Sequence, residues 1–81
     1  MNQAIQILDG TTYIAQYKSL QIEAIYQGQL LLCFLSGADK QTLLDFYASH
    51  QFDIEECLEA IIEQENFDDN GAVQLTIDQV S

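Results

Sequence analysis

Residues 51–65 read QFDIEECLEAIIEQE, and the fold follows from how that stretch is read. Ile54, Cys57, Leu58, Ile61 and Ile62 recur at i, i+3, i+4, i+7 and i+8. That spacing lays one apolar stripe along an α-helix. Asp53, just before the stripe, can accept a hydrogen bond from an unpaired backbone N–H, and Glu56 can reach back to it, so the spacing predicts a capping box starting the helix at Asp53. The opposite face carries Glu55, Glu56, Glu59 and Glu63 with no base among them. Burying five stripe residues contributes about 7–15 kcal/mol gross. Each like-charge contact along the helix costs about 0.2–0.5 kcal/mol. Burial dominates, and the helix is expected to form despite its charge.

Working outward, Ala38–Gln51 supplies a second helical pattern, with Leu43, Leu44, Phe46 and Tyr47 as its apolar face. Ser36 is the expected N-cap, and Ala48–Gln51 the joint between two separate helices. Before it, Leu20–Tyr26 and Gln29–Leu35 are apolar-rich runs separated by Gln27-Gly28, which predicts a β-hairpin with a two-residue loop. The register then follows: Tyr26 faces Gln29, Ala24 Leu31, Ile22 Cys33 and Leu20 Leu35 on one sheet face. Ile25 opposite Leu30, Glu23 opposite Leu32 and Gln21 opposite Phe34 make the other. The first face is nearly all apolar and is expected to take the helices. The second holds Ile25, Leu30, Leu32 and Phe34, more apolar surface than a solvated face usually shows, and is a candidate apolar interface.

Ala4–Leu8 reads as a first strand closed by an Asp9-Gly10 turn. Thr11–Lys18 suits either strand or helix. Asp69-Asn70-Gly71 is turn chemistry. Ala72–Ile77 alternates as a last strand, with Asp78–Ser81 a frayed tail. The order strand, hairpin, helix, helix, strand predicts one α+β domain over residues 1–81, a mostly antiparallel sheet of about four strands with two helices on one face. Which edge the last strand takes is open, a place beside the first strand being one arrangement.

The chain has 81 residues and a formal net charge of −11, with 48% apolar residues. Through Phe52, four acids stand against Lys18 and Lys40; from Asp53 onward there are nine acids and no base. With two lysines and no arginine, the chain cannot displace counterions from nucleic-acid phosphates or grip an anionic membrane. A basic protein surface is the electrostatically matched partner, with Glu55, Glu56, Glu59 and Glu63 as the candidate surface. Carboxylates imitating nucleic-acid phosphates are a special case of the same reading. No long apolar run or basic N-terminal region marks a membrane span or signal peptide, so a cytoplasmic protein is expected.

Specific chemistry finds little support. His50 is the one histidine, and pairing it with Cys57 would place the nucleophile on a core stripe. Residues 66–71 (NFDDNG) superficially resemble a calcium loop, but Asn66 and Ile77 occupy the places that need Asp and a bidentate Glu. Cys33, His50 and Cys57 lack zinc-ligand spacing. No catalytic residue, metal ligand or cofactor is expected.

The opening Met1-Asn2-Gln3-Ala4-Ile5-Gln6, the hairpin ending in Cys33, His50-Gln51-Phe52-Asp53-Ile54-Glu55-Glu56, and Asp68-Asp69-Asn70-Gly71 before a short strand resemble the YrdB-like proteins, the bacterial domain-of-unknown-function family numbered 1488. The resemblance covers most of the chain, least in Thr11–Lys18 and the first helix. Relatives often carry Trp where this chain has Phe52 and near Ala72. It implies a small stand-alone α+β cytoplasmic protein and supplies no activity or site residues. The function expected is a non-enzymatic interaction adaptor or regulator. The alternatives are a structural homodimer packed through the second sheet face and, further off, the phosphate mimic or a Cys57/His50 enzyme.

Overall fold

The computed structural model describes residues 5–80. Ala4 and Ser81, at the ends of the expected first strand and tail, lie outside them. Four strands and two helices follow in the order β1 (Ile5–Ile14), β2 (Ser19–Tyr26), β3 (Gln29–Ser36), α1 (Lys40–Glu63), β4 (Val73–Thr76) and α2 (Ile77–Val80). The sheet order is β1-β2-β3-β4, antiparallel except for the parallel β3–β4 pair. The α+β class and the mostly antiparallel four-stranded sheet are those the residue pattern predicts.

The hairpin has the expected register, from Leu20↔Leu35 to Tyr26↔Gln29. Gln27 and Gly28 both take positive φ, +55° and +80°, as a type I′ turn requires to match strand twist. The face bearing Leu20, Ile22, Ala24, Cys33 and Leu35 is fully buried, joined by Val73 and Leu75 of β4 and capped by Leu43, Ile54, Leu58 and Ile62 of α1. Cys57 and Ile61 flank that stripe, half-buried.

Several local expectations are corrected. Asp9-Gly10 does not end β1; it is absorbed as a bulge. Between Ile7↔Ala24 and Thr11↔Ile22, β1 advances four residues while β2 advances two. Gly10 sits there at φ +96°, a conformation that side-chain-bearing residues disfavour. Thr11–Lys18 is therefore strand as far as Ile14 and a turn thereafter.

The helix cap is Asp39, whose Oδ1 accepts from Thr42 N at 2.8 Å. Ser36 instead ends β3, paired with Thr76. Gly37 makes the exit at φ +113°, where a Cβ would lie 3.2 Å from Ile77 Cγ1.

The two expected helices are both present, running on as α1 across a kink at His50 (φ −127°, ψ 29°), inside the expected joint. The Asp53 capping box has no N-terminus to cap, because Gln51 and Phe52 just before it are already helical. The joint holds no Gly or Pro, and the departure from helical geometry is confined to His50. The His50 ring stacks on Phe46 (4.3 Å, 16°), with Nδ1 3.3 Å from Phe46 O. α1 ends in a Schellman arrangement: Asn66 N donates to Ile61 O at 3.1 Å and Glu65 N to Ile62 O at 2.9 Å, with Glu65 at φ +54°.

The last strand lies beside β3, at the opposite edge from β1. Parallel neighbours need a long crossover, and α1 provides it. The tail is not frayed over its described residues. Thr76 N donates to Gln79 Oε1 at 2.8 Å, one half of a capping box that starts α2, and Ile77 and Val80 pack on the core.

Candidate functional site

Because α1 covers one sheet face, the other is left to solvent. Its apolar members are Ile25, Leu30, Leu32 and Phe34, as the register requires. Leu30 is 57% exposed and Leu32 37%, whereas Phe34 is only 9% exposed. Two loops account for that difference.

The first is the β1–β2 turn. Tyr17 N donates to Ile14 O at 3.1 Å, Lys18 N to Ala15 O at 3.2 Å, and buried Ser19 donates its hydroxyl to Tyr17 O at 2.8 Å. This brings the Tyr17 ring edge-on to Phe34, centroids 5.5 Å apart. The second is the turn at 68–72. Asp68 Oδ1 accepts from Asn70 N at 2.8 Å and Ala72 N at 2.9 Å, while Oδ2 accepts from Gln74 Nε2 at 2.9 Å. The Gln74 bond, with the backbone donors, holds the Asp68 carboxyl below the usual carboxylate range. Between the loops runs an open groove of about 880 Å³ whose floor includes Leu30, Leu32, Phe34, Gln21 and Gln74. Ile25 shares the face, opposite Leu30 in the register, but lies outside the groove.

The acidic surface expected from the sequence is on the other side of the molecule, on α1. Glu56, Glu59 and Glu63 are exposed and Glu55 is half-buried. Glu55 accepts from Gln51 Nε2 at 3.2 Å. Tyr47 is held above its ordinary pKa first by burial, then by the charges of Glu55 and Asp9. Its hydroxyl is buried without a hydrogen-bond partner among the described residues. The apolar and acidic candidate surfaces thus lie on opposite sides of the sheet.

Nor does the fold bring Cys57 and His50 together. They stand seven residues apart on α1, about 10 Å of helical rise, with the His50 ring turned back onto Phe46. Burial pushes the Cys33 thiol up to about 12. In the NFDDNG segment, Asp68 spends both carboxylate oxygens on protein donors, which is turn-building rather than ligation.

Tyr17, Ser19 and Gln74 were not candidates by sequence, because the conformation of Thr11–Lys18 and the placement of β4 were open. The Asp68-x-Asn70 spacing is the one local signal that could have marked the second wall, as an Asx-turn.

Among the described residues, no helix is long and apolar enough to cross a membrane. Residues 5–75 match the family described as "Protein of unknown function (DUF1488)". The chain is 31% identical over 84 residues to the uncharacterized protein YrdB of Escherichia coli (strain K12), covering 93% of this chain and 99% of that protein. It also resembles the crystal structure of a DUF1488-family protein of unknown function from Shewanella loihica PV-4, with TM-score 0.81 and 29% identity over 93% of this chain and 94% of that one. Sequence match and shared fold agree over most of the chain, and the chain belongs to the DUF1488 family.

Proposed function

We propose that this chain is a non-enzymatic interaction protein of the cytoplasm, an adaptor or regulator that docks a partner through the groove on its outer sheet face. One observation carries the reading: Leu30 and Leu32 stand 57% and 37% exposed on an otherwise ordered strand, between two loops braced by side-chain hydrogen bonds. The solvent face of an antiparallel strand is ordinarily polar. Fully burying a leucine is worth about 1.5–3 kcal/mol, so the pair offers a partner a few kcal/mol of binding energy. The acidic face of α1, with Glu55, Glu56, Glu59 and Glu63, contributes at longer range by accelerating encounter with a basic partner.

The same exposed leucines support a second reading, a structural homodimer packed face to face. Leu32→Asp tests both, since Leu32 is outside the helix-facing core. Its expected effect is loss of captured partner in pull-downs or conversion of dimer to monomer by light scattering. A folded variant that matches the parent in both experiments removes the outer face from consideration. Reversing Glu55, Glu59 and Glu63 is expected to slow association.

A further inference from the structure

Resting on the reading that the outer face docks a partner, we infer that its occupant is a polypeptide segment with aliphatic side chains flanked by lysine or arginine, in preference to a second copy of this chain. The groove sets the apolar part. Leu30, Leu32 and Phe34 are alternate residues of β3, so their side chains line up about 6.6 Å apart. From Leu30 to Ser36 the floor runs about 20 Å, long enough for two or three side chains of a bound segment. Gln74 gives its amide N–H to Asp68, and its carbonyl oxygen is a further acceptor group. Gln21, Ser36 and Asn70 add uncharged hydrogen-bonding groups.

Charge decides between occupants. Glu23 shares this face, directly opposite Leu32 in the register, and like Ile25 borders the groove without lining it. Asp68 and Asp69 stand at the turn forming the far wall. Lys18, next to Tyr17, is the one base nearby; Lys40 lies over the Tyr13 ring, 5.8 Å from its centroid, and Tyr13 pairs with Leu20 on the helix-covered face. Among the described residues, none lining the groove is basic. A second copy would join two bodies of charge −11. A cationic segment replaces that repulsion with attraction.

The test uses the full chain and two synthetic peptides of equal length and leucine pattern, one Lys/Leu and one Glu/Leu. Backbone-amide NMR locates binding, and light scattering gives the oligomeric state. The Lys/Leu peptide is expected to shift Gln21, Leu30, Leu32 and Phe34, and to bind about tenfold more weakly at high than at low salt. Glu23→Gln should weaken it about two- to fivefold, and Leu32→Ser should weaken it without changing the charge. Equal binding of the Glu/Leu peptide, or Lys/Leu shifts confined to α1 around Glu55, Glu59 and Glu63, overturns the inference. A wild-type dimer that Leu32→Asp dissociates overturns it too, yet leaves the docking face standing, with a second copy as occupant. Absence of both peptide binding and a Leu32-dependent dimer removes inference and docking face together.

Discussion

Two residues show how single side chains set local energetics here. Tyr47 buries a hydroxyl that finds no hydrogen-bond partner among the described residues. A buried unpaired polar group is a cost, so removing it should not hurt. Tyr47→Phe is expected to leave stability unchanged or raise it by up to about 1 kcal/mol in urea unfolding; a clear loss would show that the hydroxyl is satisfied. Asp68 is the reverse case, a carboxylate on which a whole turn hangs. Its folded pKa is depressed, led by the Gln74 hydrogen bond and then the Ala72 N–H. The stability it contributes is therefore present above the ordinary Asp value of about 3.9 and disappears as pH falls through the lower folded value. Carbon-13 titration of the Asp68 carboxyl should give a midpoint below that reference. Asp68→Ala should lower Tm at neutral pH, with the deficit shrinking in acid.

At the scale of the element, α1 is a helix whose burial outweighs its electrostatics. Ile54, Leu58 and Ile62 are essentially inaccessible, yet the last turn holds no base, and Glu55, Glu59 and Glu63 follow one another at four-residue spacing. The C-terminal carbonyls carry partial negative charge that a glutamate there opposes. Glu63→Lys turns the like-charge contact with Glu59 into an attractive pair, acid one turn before base, which is the favourable direction. It is expected to stabilise the fold by about 0.5–1 kcal/mol at low salt. Chemical denaturation checks it, and an unchanged midpoint would mean the exposed carboxylates are already screened. The kink at His50 belongs to this scale as well. A helix that survives one non-helical residue needs tertiary packing on both sides, and Leu43 before the kink and Ile54 after it, both fully buried, provide it.

For the whole molecule the dominant field is a charge of −11 on 81 residues. Folding concentrates that charge, so self-repulsion opposes the compact state and salt relieves it. Tm is expected to rise between low and physiological ionic strength; a fall would mean specific attractive pairs outweigh the net repulsion. The molecule also divides its surface. α1 carries the acidic face on one side of the sheet, and the groove between Tyr17 and the 68–72 turn opens on the other. The proposed steering and docking surfaces can therefore be altered separately by mutation.

The sequence by itself determined the features that depend on period and nearest neighbours. Alternation along two runs and a two-residue loop fixed the β2–β3 register to the residue. The i, i+3, i+4 recurrence fixed which side of α1 faces the core. The same alternation put Ile25, Leu30, Leu32 and Phe34 on one outer face. A capping signal in Thr76-Ile77-Asp78-Gln79 was present as well, though a short apolar strand pattern masked it. Only the tertiary structure decided what depends on distant packing. Asp9-Gly10 looks locally like a turn, and it becomes a bulge because β2 offers β1 hydrogen-bonding partners on both sides of it. Ala48–Gln51 reads as a joint, and packing narrows it to a kink at His50 between two helical stretches with buried anchors on either side. β4 takes its place beside β3 because a long crossover permits a parallel neighbour, a choice that alternation within four residues cannot encode. The groove has the same origin: its floor is local pattern, and its walls exist only once the β1–β2 turn and the Asp68 turn are brought up to the same strand.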